Sequence, residues 1–343
     1  MTAAISPPRL SRPSWSDPRT RASVWQVLVV VIVVVIIAAV ARQTAVNLRL
    51  RGIASGFGYL TRSAGFEISQ GPVPYSSRET YARALGVGLV NTLRVAFLGI
   101  VIAAVLGASI GIARLSTIWV VSSISRAYVE IVRNTPLLLQ LLFWYSLSQT
   151  LPGPREALHV LPGVFLCVRG LFLPSLAWHA GYPLVTVDYP VFVGFNFRGG
   201  LSIAPEFAAL LIGLSTYTAA FIAEIVRGGV LAVGKGQWEA AMALGLSRVN
   251  VLRLVVLPQA SRAIIPPTTS QFLNLTKNSS LAVAIGYPDL ISITNTTINQ
   301  TGQAVEAIAL AMSVYLAISL AVSLSMNVYN GAVASHERGT RNR

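Results

Sequence analysis

The chain has 343 residues, of which 54% are hydrophobic and only 11% are charged. A water-soluble domain carries about 25% charged residues, so much of this chain's surface is expected to face lipid. The net charge of +14 would suit nucleic acid, but the basic residues flank apolar runs, and membrane topology explains that placement better. The single cysteine, Cys167, excludes an internal disulfide, and three widely spaced histidines offer no metal-ligand spacing.

The N-terminal region predicts a tail, a membrane helix and an extramembrane segment. Residues 1–23 are polar and rich in Pro and Arg, and we expect a disordered cytoplasmic tail. Residues 24–41 are apolar apart from Gln26, and about 27 Å of helix would cross a hydrocarbon core. A cleaved signal peptide is the alternative, since Ala39-Val40-Ala41 fits a small-x-small cleavage site. Residues 42–84 are mixed and polar, and we expect them in the periplasm.

Five further spans are predicted along the rest of the chain: 86–113, a third ending near 148, 207–226, 263–293 and 304–328. Gly107 and Gly111 form a small-xxx-small face in the second span. Pro136 predicts a kink or a helix start in the third, and Pro266-Pro267 a break in the fifth. Residues 149–205 hold seven prolines and predict an ordered extramembrane loop. With six spans, the basic ends place both termini in the cytoplasm, including the tail 331–343.

The polar stretch 227–262 carries the most informative pattern. It reads Glu239-Ala240-Ala241, three residues, Gly245, nine residues, and then Val255-Val256-Leu257-Pro258. Residues 237–244 favour a helix, and Gly245 can end it in a left-handed cap. A second short helix is predicted over 248–257, with Pro258 after it. Two short helices joined at a glycine form a compact projection that can lie in a partner's groove.

This pattern resembles the signature of the membrane subunits of ABC importers. The runs at 133–143, 217–227 and 274–281 are similar to polar amino-acid permeases, in particular the general L-amino-acid subgroup that takes glutamate, glutamine and aspartate. The resemblance covers about residues 85–329. It implies an all-α membrane protein with the type I ABC importer fold and about six membrane helices. The transmembrane domain would span 85–330, with a periplasmic loop at 149–205 and a coupling loop at 227–262. Larger members of the subgroup have additional spans in the region of 149–205.

The resemblance also implies partners. A dimer of ATPase subunits would dock on the coupling loop of a multi-pass permease in the bacterial inner membrane, through Glu239, Ala240, Ala241, Gly245 and Pro258. A second, homologous permease subunit is expected, as a heterodimer more than a homodimer, together with a periplasmic amino-acid-binding protein. No catalytic residue, metal or cofactor is expected in this chain, since ATP and Mg²⁺ would be bound by the ATPase.

One nucleotide-binding pattern is incomplete, which supports placing ATP elsewhere. Gly229, Gly234 and Lys235 match the start of a phosphate-binding P-loop. Gly236 stands where that motif needs the Ser or Thr that binds Mg²⁺. The run also follows a membrane helix instead of a strand.

Lys277 is the main candidate for the translocation path. A lysine in an apolar span is costly and should face a cavity, where it could attract a substrate carboxylate, or bond backbone carbonyls of a broken helix. Other candidates could line the path or merely bond within their own helices: Asn274, Thr276, Asn278, Ser279 and Thr218. Arg94 either snorkels to the outer interface or faces an aqueous cavity. Glu224 and Arg227 are spaced as a structural pair.

Two other function classes remain open at this point. A secondary transporter driven by an ion gradient would show paired intramembrane carboxylates and repeated halves, and neither is visible. A membrane-anchored assembly protein would tolerate substitution of Glu239. ATP-dependent uptake with a co-purifying ATPase would separate both from an importer.

Overall fold

The computed structural model describes residues 18–50, 52, 55–178 and 185–341. The chain divides into two compact units, the first ending at Gly56 and the second running from Phe57 to Arg343. The described part of the first unit is dominated by one helix, α1 (Pro18–Leu50). Its stretch Arg21–Thr44 is long and apolar enough to cross a membrane. Its apolar side chains are exposed, as expected for a helix that faces lipid.

The predicted segments of the first unit overlap this helix. α1 contains the whole predicted membrane helix 24–41 and continues into the predicted periplasmic segment 42–84. Of the predicted tail 1–23, residues 1–17 lie outside the described part and the rest belong to α1.

The second unit is mainly helical. Its helices are α2 (Tyr81–Ala113), α3 (Trp119–Asn134), α4 (Leu137–Gln149), α5 (Pro205–Leu231), α6 (Lys235–Ala243), α7 (Arg248–Val251), α8 (Leu257–Asn278), α9 (Leu290–Thr301) and α10 (Ala304–Arg341). A π turn over Leu252–Val256 joins α7 to α8, and a 3-10 turn over Ser279–Ile285 follows α8. α10 therefore continues through most of the predicted tail 331–343, of which 342 and 343 lie outside the described part.

In the described ranges, four helices are individually long and apolar enough to span a membrane: α1, α2, α5 and α10. The third predicted span is two helices, α3 and α4. They separate at Thr135-Pro136, where Thr135 is extended and Pro136 has no N–H to continue the helix. Together the two follow α5 antiparallel, from Val129 against Ala223 to Leu141 against Gly213.

The fifth predicted span is also interrupted, but not at the predicted place. α8 passes unbroken through Pro266 and Pro267. The break comes at the turn 279–285, where Gly286 adopts a left-handed conformation (φ +76°) and Pro288 follows. This combination of glycine and proline is typical of a helix stop. α9 then begins at the side-chain cap of Asp289, whose carboxylate accepts from the Ser292 N–H at 2.8 Å.

α2 and α5 form the closest helix pair and run parallel. A Cβ on Gly107 would lie 2.6 Å from Ile222 Cβ, and one on Gly111 would lie 2.7 Å from the Ala223 carbonyl oxygen. The small-xxx-small face predicted in α2 is therefore the surface on which α5 packs. The main core lies beside this contact, between α2, α4, α5 and α8.

The predicted loop 149–205 contains strands that the prediction of an all-α chain did not include. In its described parts, four strands form one sheet in the order β1 (Leu158–Leu161), β2 (Val164–Cys167), β3 (Gly170–Leu173) and β8 (Leu201–Ile203). Two further antiparallel pairs are β4 (Ser175–Trp178) with β5 (Val185–Asp188), and β6 (Val191–Val193) with β7 (Asn196–Arg198). The strands are only three or four residues long, so their pattern in the sequence is weak.

The helical unit thus has two different ends. The segment from α6 through α7 to the π turn, residues 235–256, is called the hairpin. The hairpin end of the unit holds this segment and the ends of α2 and α5. The strand end holds the strands, the start of α5 and the segment 57–80, which Gln70 Nε2 ties to Glu206 with a bond of 2.7 Å. The fold class is confirmed as mostly helical with membrane-length helices.

Candidate functional site

The α6 helix ends in a Schellman motif. The Leu246 N–H donates to the Ala241 carbonyl at 3.3 Å, and the Gly245 N–H donates to Met242 at 2.9 Å. These two bonds satisfy carbonyls at the helix end and require a left-handed residue at Gly245, whose φ is +81°. The left-handed cap predicted at Gly245 is present.

The second half of the hairpin differs from the predicted short helix 248–257. α7 begins after Ser247, whose Oγ accepts from the Asn250 N–H at 3.4 Å. The helical path then runs through the π turn into α8, and Pro258 lies in the first turn of α8 instead of ending a helix. Proline has no N–H to donate, and Pro258 follows directly on the π turn, where the regular bonding of the helix already changes. The hairpin is therefore continuous with the membrane helix that follows it.

A small apolar core supports the hairpin. Ala241 of α6 is buried with Val251, Val256 and Ala260, and Val230 of α5 completes the cluster. Gln259 Nε2 also donates to Gln237 Oε1 at 3.2 Å, which joins α8 to α6. Because this core includes side chains from α5 and α8, a displacement of the hairpin would move both helices with it.

The outer surface of the hairpin combines a carboxylate with exposed apolar groups. Glu239 and Ala240 are exposed, and Leu244 is 83% exposed. Within the described ranges the Glu239 carboxylate forms no ion pair and no hydrogen bond. Gly245 and Pro258 are exposed as well, whereas Ala241 faces the core. An unpaired charge beside exposed apolar groups is suited to contact with another protein.

A charged cluster lies at the same end of α2 and α5. Glu224 accepts hydrogen bonds from Arg114 Nη1 and from Arg227 Nη2. The pairing of Glu224 with Arg227 is as predicted, but Arg114 was not recognised, because it lies 110 residues away in the sequence. The cluster ties the last turn of α2 to α5 above the hairpin.

The incomplete P-loop pattern covers the last residues of α5, the turn after it and the first residues of α6. Gly229 belongs to the last part of α5, where a Cβ would clash with the Ile264 side chain. The glycine therefore serves a close contact between α5 and α8. Among the described residues, no group of three or more His, Cys, Asp or Glu side chains is placed to hold a metal ion.

Lys277 lies at the end of α8 and lines a cavity of about 520 Å³ between α8, α9 and α10. Its side chain is exposed, and no ion pair to a described carboxylate is found. The wall is mainly apolar, and its polar members include Ser280, Asn295 and Tyr315. Asn295 and Tyr315 were not singled out from the sequence, because nothing in the pattern brings α9 and α10 to Lys277.

The other predicted path residues are in different environments. Thr276 is buried and bonds the Phe272 carbonyl at 2.9 Å, and Ser279 is buried and bonds the Thr276 carbonyl at 2.8 Å. Both hydroxyls are thus used within their own helical segment, which is the alternative left open above. Asn274 is exposed and Asn278 half-buried on α8, whereas Thr218 is buried in α5.

Arg94 lies apart from Lys277, near the strand end. Its guanidinium stacks over the Phe207 ring at 4.3 Å from the ring centroid. It also lines a polar cavity there, which favours the cavity-facing alternative over snorkelling to the interface.

Comparison with known proteins identifies the family to which this architecture belongs. Residues 99–341 match the family described as "Binding-protein-dependent transport system inner membrane component". The chain is 45% identical to the putative amino-acid ABC transporter permease protein YhdX of Escherichia coli K12, over 95% of this chain and 97% of that protein. It is 44% identical to the general L-amino acid transport system permease protein AapQ of Rhizobium johnstonii, over 95% and 96%.

A third relative and two solved structures agree. The chain is 35% identical to the glutamate/glutamine/aspartate/asparagine transport system permease protein BztB of Rhodobacter capsulatus, over 94% of this chain and 96% of that protein. A crystal structure of an amino acid ABC transporter with histidines superposes with a TM-score of 0.54 at 26% identity, covering 74% of this chain and 95% of that one. An inward-facing MetNI methionine ABC transporter superposes with a TM-score of 0.52 at 18% identity, covering 73% and 96%, and supports the fold alone.

These findings confirm the resemblance noted in the sequence. The relatives are permease subunits, and in such importers ATP hydrolysis belongs to separate subunits. The family works with an ATPase, a second permease and a binding protein. The chain belongs to the family of inner-membrane components of binding-protein-dependent transport systems and has the type I ABC importer permease fold.

Proposed function

We propose that this chain is the channel-forming subunit of an ATP-driven importer of polar and acidic L-amino acids. A periplasmic binding protein delivers the amino acid, and alternating access moves it to the cytoplasm. Three relatives that align over nearly the whole chain support the substrate class, since their names specify amino acids. The chain lies in the bacterial inner membrane with both termini and the hairpin in the cytoplasm.

The observation that carries this proposal is the construction of the hairpin. Its outer face presents Glu239 without a partner among the described residues, beside exposed Ala240 and Leu244. Its inner face is packed into α5 and α8 through Ala241 and Val256. A surface of this kind can dock in a groove of the ATPase and convert closure of the ATPase dimer into movement of the membrane helices.

Two permease subunits would enclose the path. α8 carries exposed polar groups, Asn274 and Lys277, on a membrane helix. Such groups are costly against lipid, so a second permease subunit would cover them. We favour a homologous but different second chain. Lys277 would attract the substrate carboxylate within the cavity between α8, α9 and α10.

Charge reversal of Glu239 tests the coupling role. In vesicles that contain the assembled importer, Glu239→Lys should abolish most ATP-dependent amino-acid uptake, because the lysine would repel a basic partner on the ATPase. Glu156→Lys is the matched control. Glu156 is exposed, forms no ion pair in the described part of the chain, and lies at the strand end.

We expect loss of uptake in Glu239→Lys and normal uptake in Glu156→Lys. The Glu239→Lys importer would either assemble in normal amounts without transporting or retain less of the ATPase on purification. Normal ATP-coupled uptake by Glu239→Lys would contradict the proposal. A gradient-driven transporter would instead keep its uptake when the ATPase is inactivated.

A further inference from the structure

A second cavity lies at the strand end, apart from Lys277. It has a volume of about 400 Å³ and is enclosed by the segment 69–71, α2 at Arg94, the strands and the start of α5. Phe207 and Tyr287 are buried at its base, and their rings stand 5.8 Å apart. The cavity is within the range of sizes that bind small molecules.

Two arginines face this cavity. Arg94 projects from α2 over the Phe207 ring, and Arg169 comes from the turn between β2 and β3. Neither forms an ion pair with any carboxylate in the described part of the chain. Two nearby acidic groups have other partners: Gln70 Nε2 donates to Glu206 at 2.7 Å, and the Gly200 N–H donates to Asp188 at 2.8 Å. The two guanidinium groups are therefore available to an anion.

Two residues that line the same cavity carry buried hydrogen-bond acceptors with no partner. Gln70 Oε1 and Asn196 Oδ1 are both buried and make no hydrogen bond, and both residues line the cavity. A buried carbonyl oxygen without a donor destabilises the fold, so it calls for an explanation. A ligand that brings N–H groups would supply the missing donors.

The walls are held in place by Asn91. Its Nδ2 donates to the carbonyls of Gln70 at 3.0 Å and Pro288 at 2.9 Å, which fixes two lining segments against α2. Gly71 allows this approach, since a Cβ there would lie 2.8 Å from Asn91 Oδ1. The Asn91 side chain therefore preorganises the cavity before any ligand arrives.

We propose that this cavity binds a free α-amino acid on its way into the membrane path. The arginines would take the carboxylate, and the oxygens of Gln70 and Asn196 would accept from the ammonium group. A simple anion would use only the two guanidinium groups. A zwitterion would use them for its carboxylate and the two amide oxygens for its ammonium group. The proposal rests on the function proposed above and adds an entry site before the Lys277 cavity.

The test uses the assembled importer in nanodiscs without its binding protein. The probe is radiolabelled L-glutamate, with L-glutamine and L-aspartate as further probes. Arg169→Gln should weaken one class of binding site by about tenfold, as expected for loss of a charge-assisted bond. Lys277→Met should leave that class unchanged. Arg155→Gln is the control, because Arg155 is an exposed arginine of the same segment that does not line the cavity.

A second variant examines the acceptors. Glutarate has two carboxylates but no ammonium group, so it should compete less well than L-glutamate at the wild-type site. Asn196→Leu should reduce the difference in affinity between L-glutamate and glutarate, because it removes an acceptor that only the ammonium group uses. Arg169→Lys should recover part of the affinity lost in Arg169→Gln.

Each result decides between explanations. Unchanged binding in Arg169→Gln, or no binding of any of the three amino acids to the wild type, overturns the proposal. So does a defect that appears only after the binding protein is added back, since the cavity would then take a protein side chain. Uptake by vesicles of the same preparation keeps the two proposals apart. If the wild type shows ATP-dependent uptake but Arg169→Gln binds L-glutamate normally, only the entry site is refuted. If the wild type takes up no amino acid, the proposed function is refuted.

Discussion

The two ends of the helical unit are built in different ways. At the hairpin end, α6, α7 and the start of α8 follow one another along the chain, and their geometry is set by local bonds such as those at Gly245 and Ser247. At the strand end, contacts join distant segments: β3 pairs with β8, Gln70 bonds Glu206, and Asn91 bonds Pro288. The geometry of the hairpin end is therefore set mainly by residues that are neighbours in sequence, whereas that of the strand end depends on the whole fold.

The largest expected effect is at the strand end. Gly170 has φ +126°, and a Cβ there would clash with the Ile203 carbonyl at the junction of β3 and β8. Gly170→Ala should lower stability by about 3 kcal/mol, from backbone strain and overpacking together. The thermal midpoint in detergent should fall, and trypsin should cut within residues 150–204 faster.

Gly153→Ala is the control for that variant, since a Cβ there meets open space. If Gly170→Ala resists trypsin as well as Gly153→Ala does, the strand end is not held by the β3–β8 contact. The contrast between the two ends would then be lost.

A smaller effect is expected where the contact between α2 and α5 approaches the hairpin end. Gly111→Ala would place a methyl group 2.7 Å from the Ala223 carbonyl oxygen and should cost about 2 kcal/mol through separation of α2 and α5. Gly86→Ala in the same helix meets no atom within 4 Å and should be neutral. Equal thermal midpoints for the two variants would show that the α2–α5 contact does not join the ends rigidly.

The smallest change in stability is expected at the hairpin end. Gly245→Ala forces a non-glycine residue into the left-handed region and should cost about 1 kcal/mol, without a steric clash. Because the hairpin is the proposed ATPase contact, ATP-coupled uptake should fall by more than the small drop in thermal midpoint suggests. Gly236→Ala lies inside α6 and should preserve both uptake and stability. Normal uptake by Gly245→Ala would mean that the shape of the turn is not needed for coupling.

Much of the path could not be read from residue types. Thr276 and Ser279 are polar residues beside Lys277, yet their hydroxyls bond their own helical segment. Asn295 and Tyr315 line the Lys277 cavity from α9 and α10, and no spacing in the sequence signals this. Whether these groups contact a substrate stays a prediction.

The sequence by itself determined the membrane class, the family and the hairpin. Hydropathy depends on composition over a short window, and the Glu239 to Pro258 pattern encodes caps and turns through neighbours in the chain. Only the tertiary structure decided that the fifth span is interrupted at 279–285, that residues 150–204 contain strands, and that Arg94 and Arg169 share a cavity with Gln70 and Asn196. Those features depend on contacts between segments far apart in sequence, which the local preferences of residues do not specify.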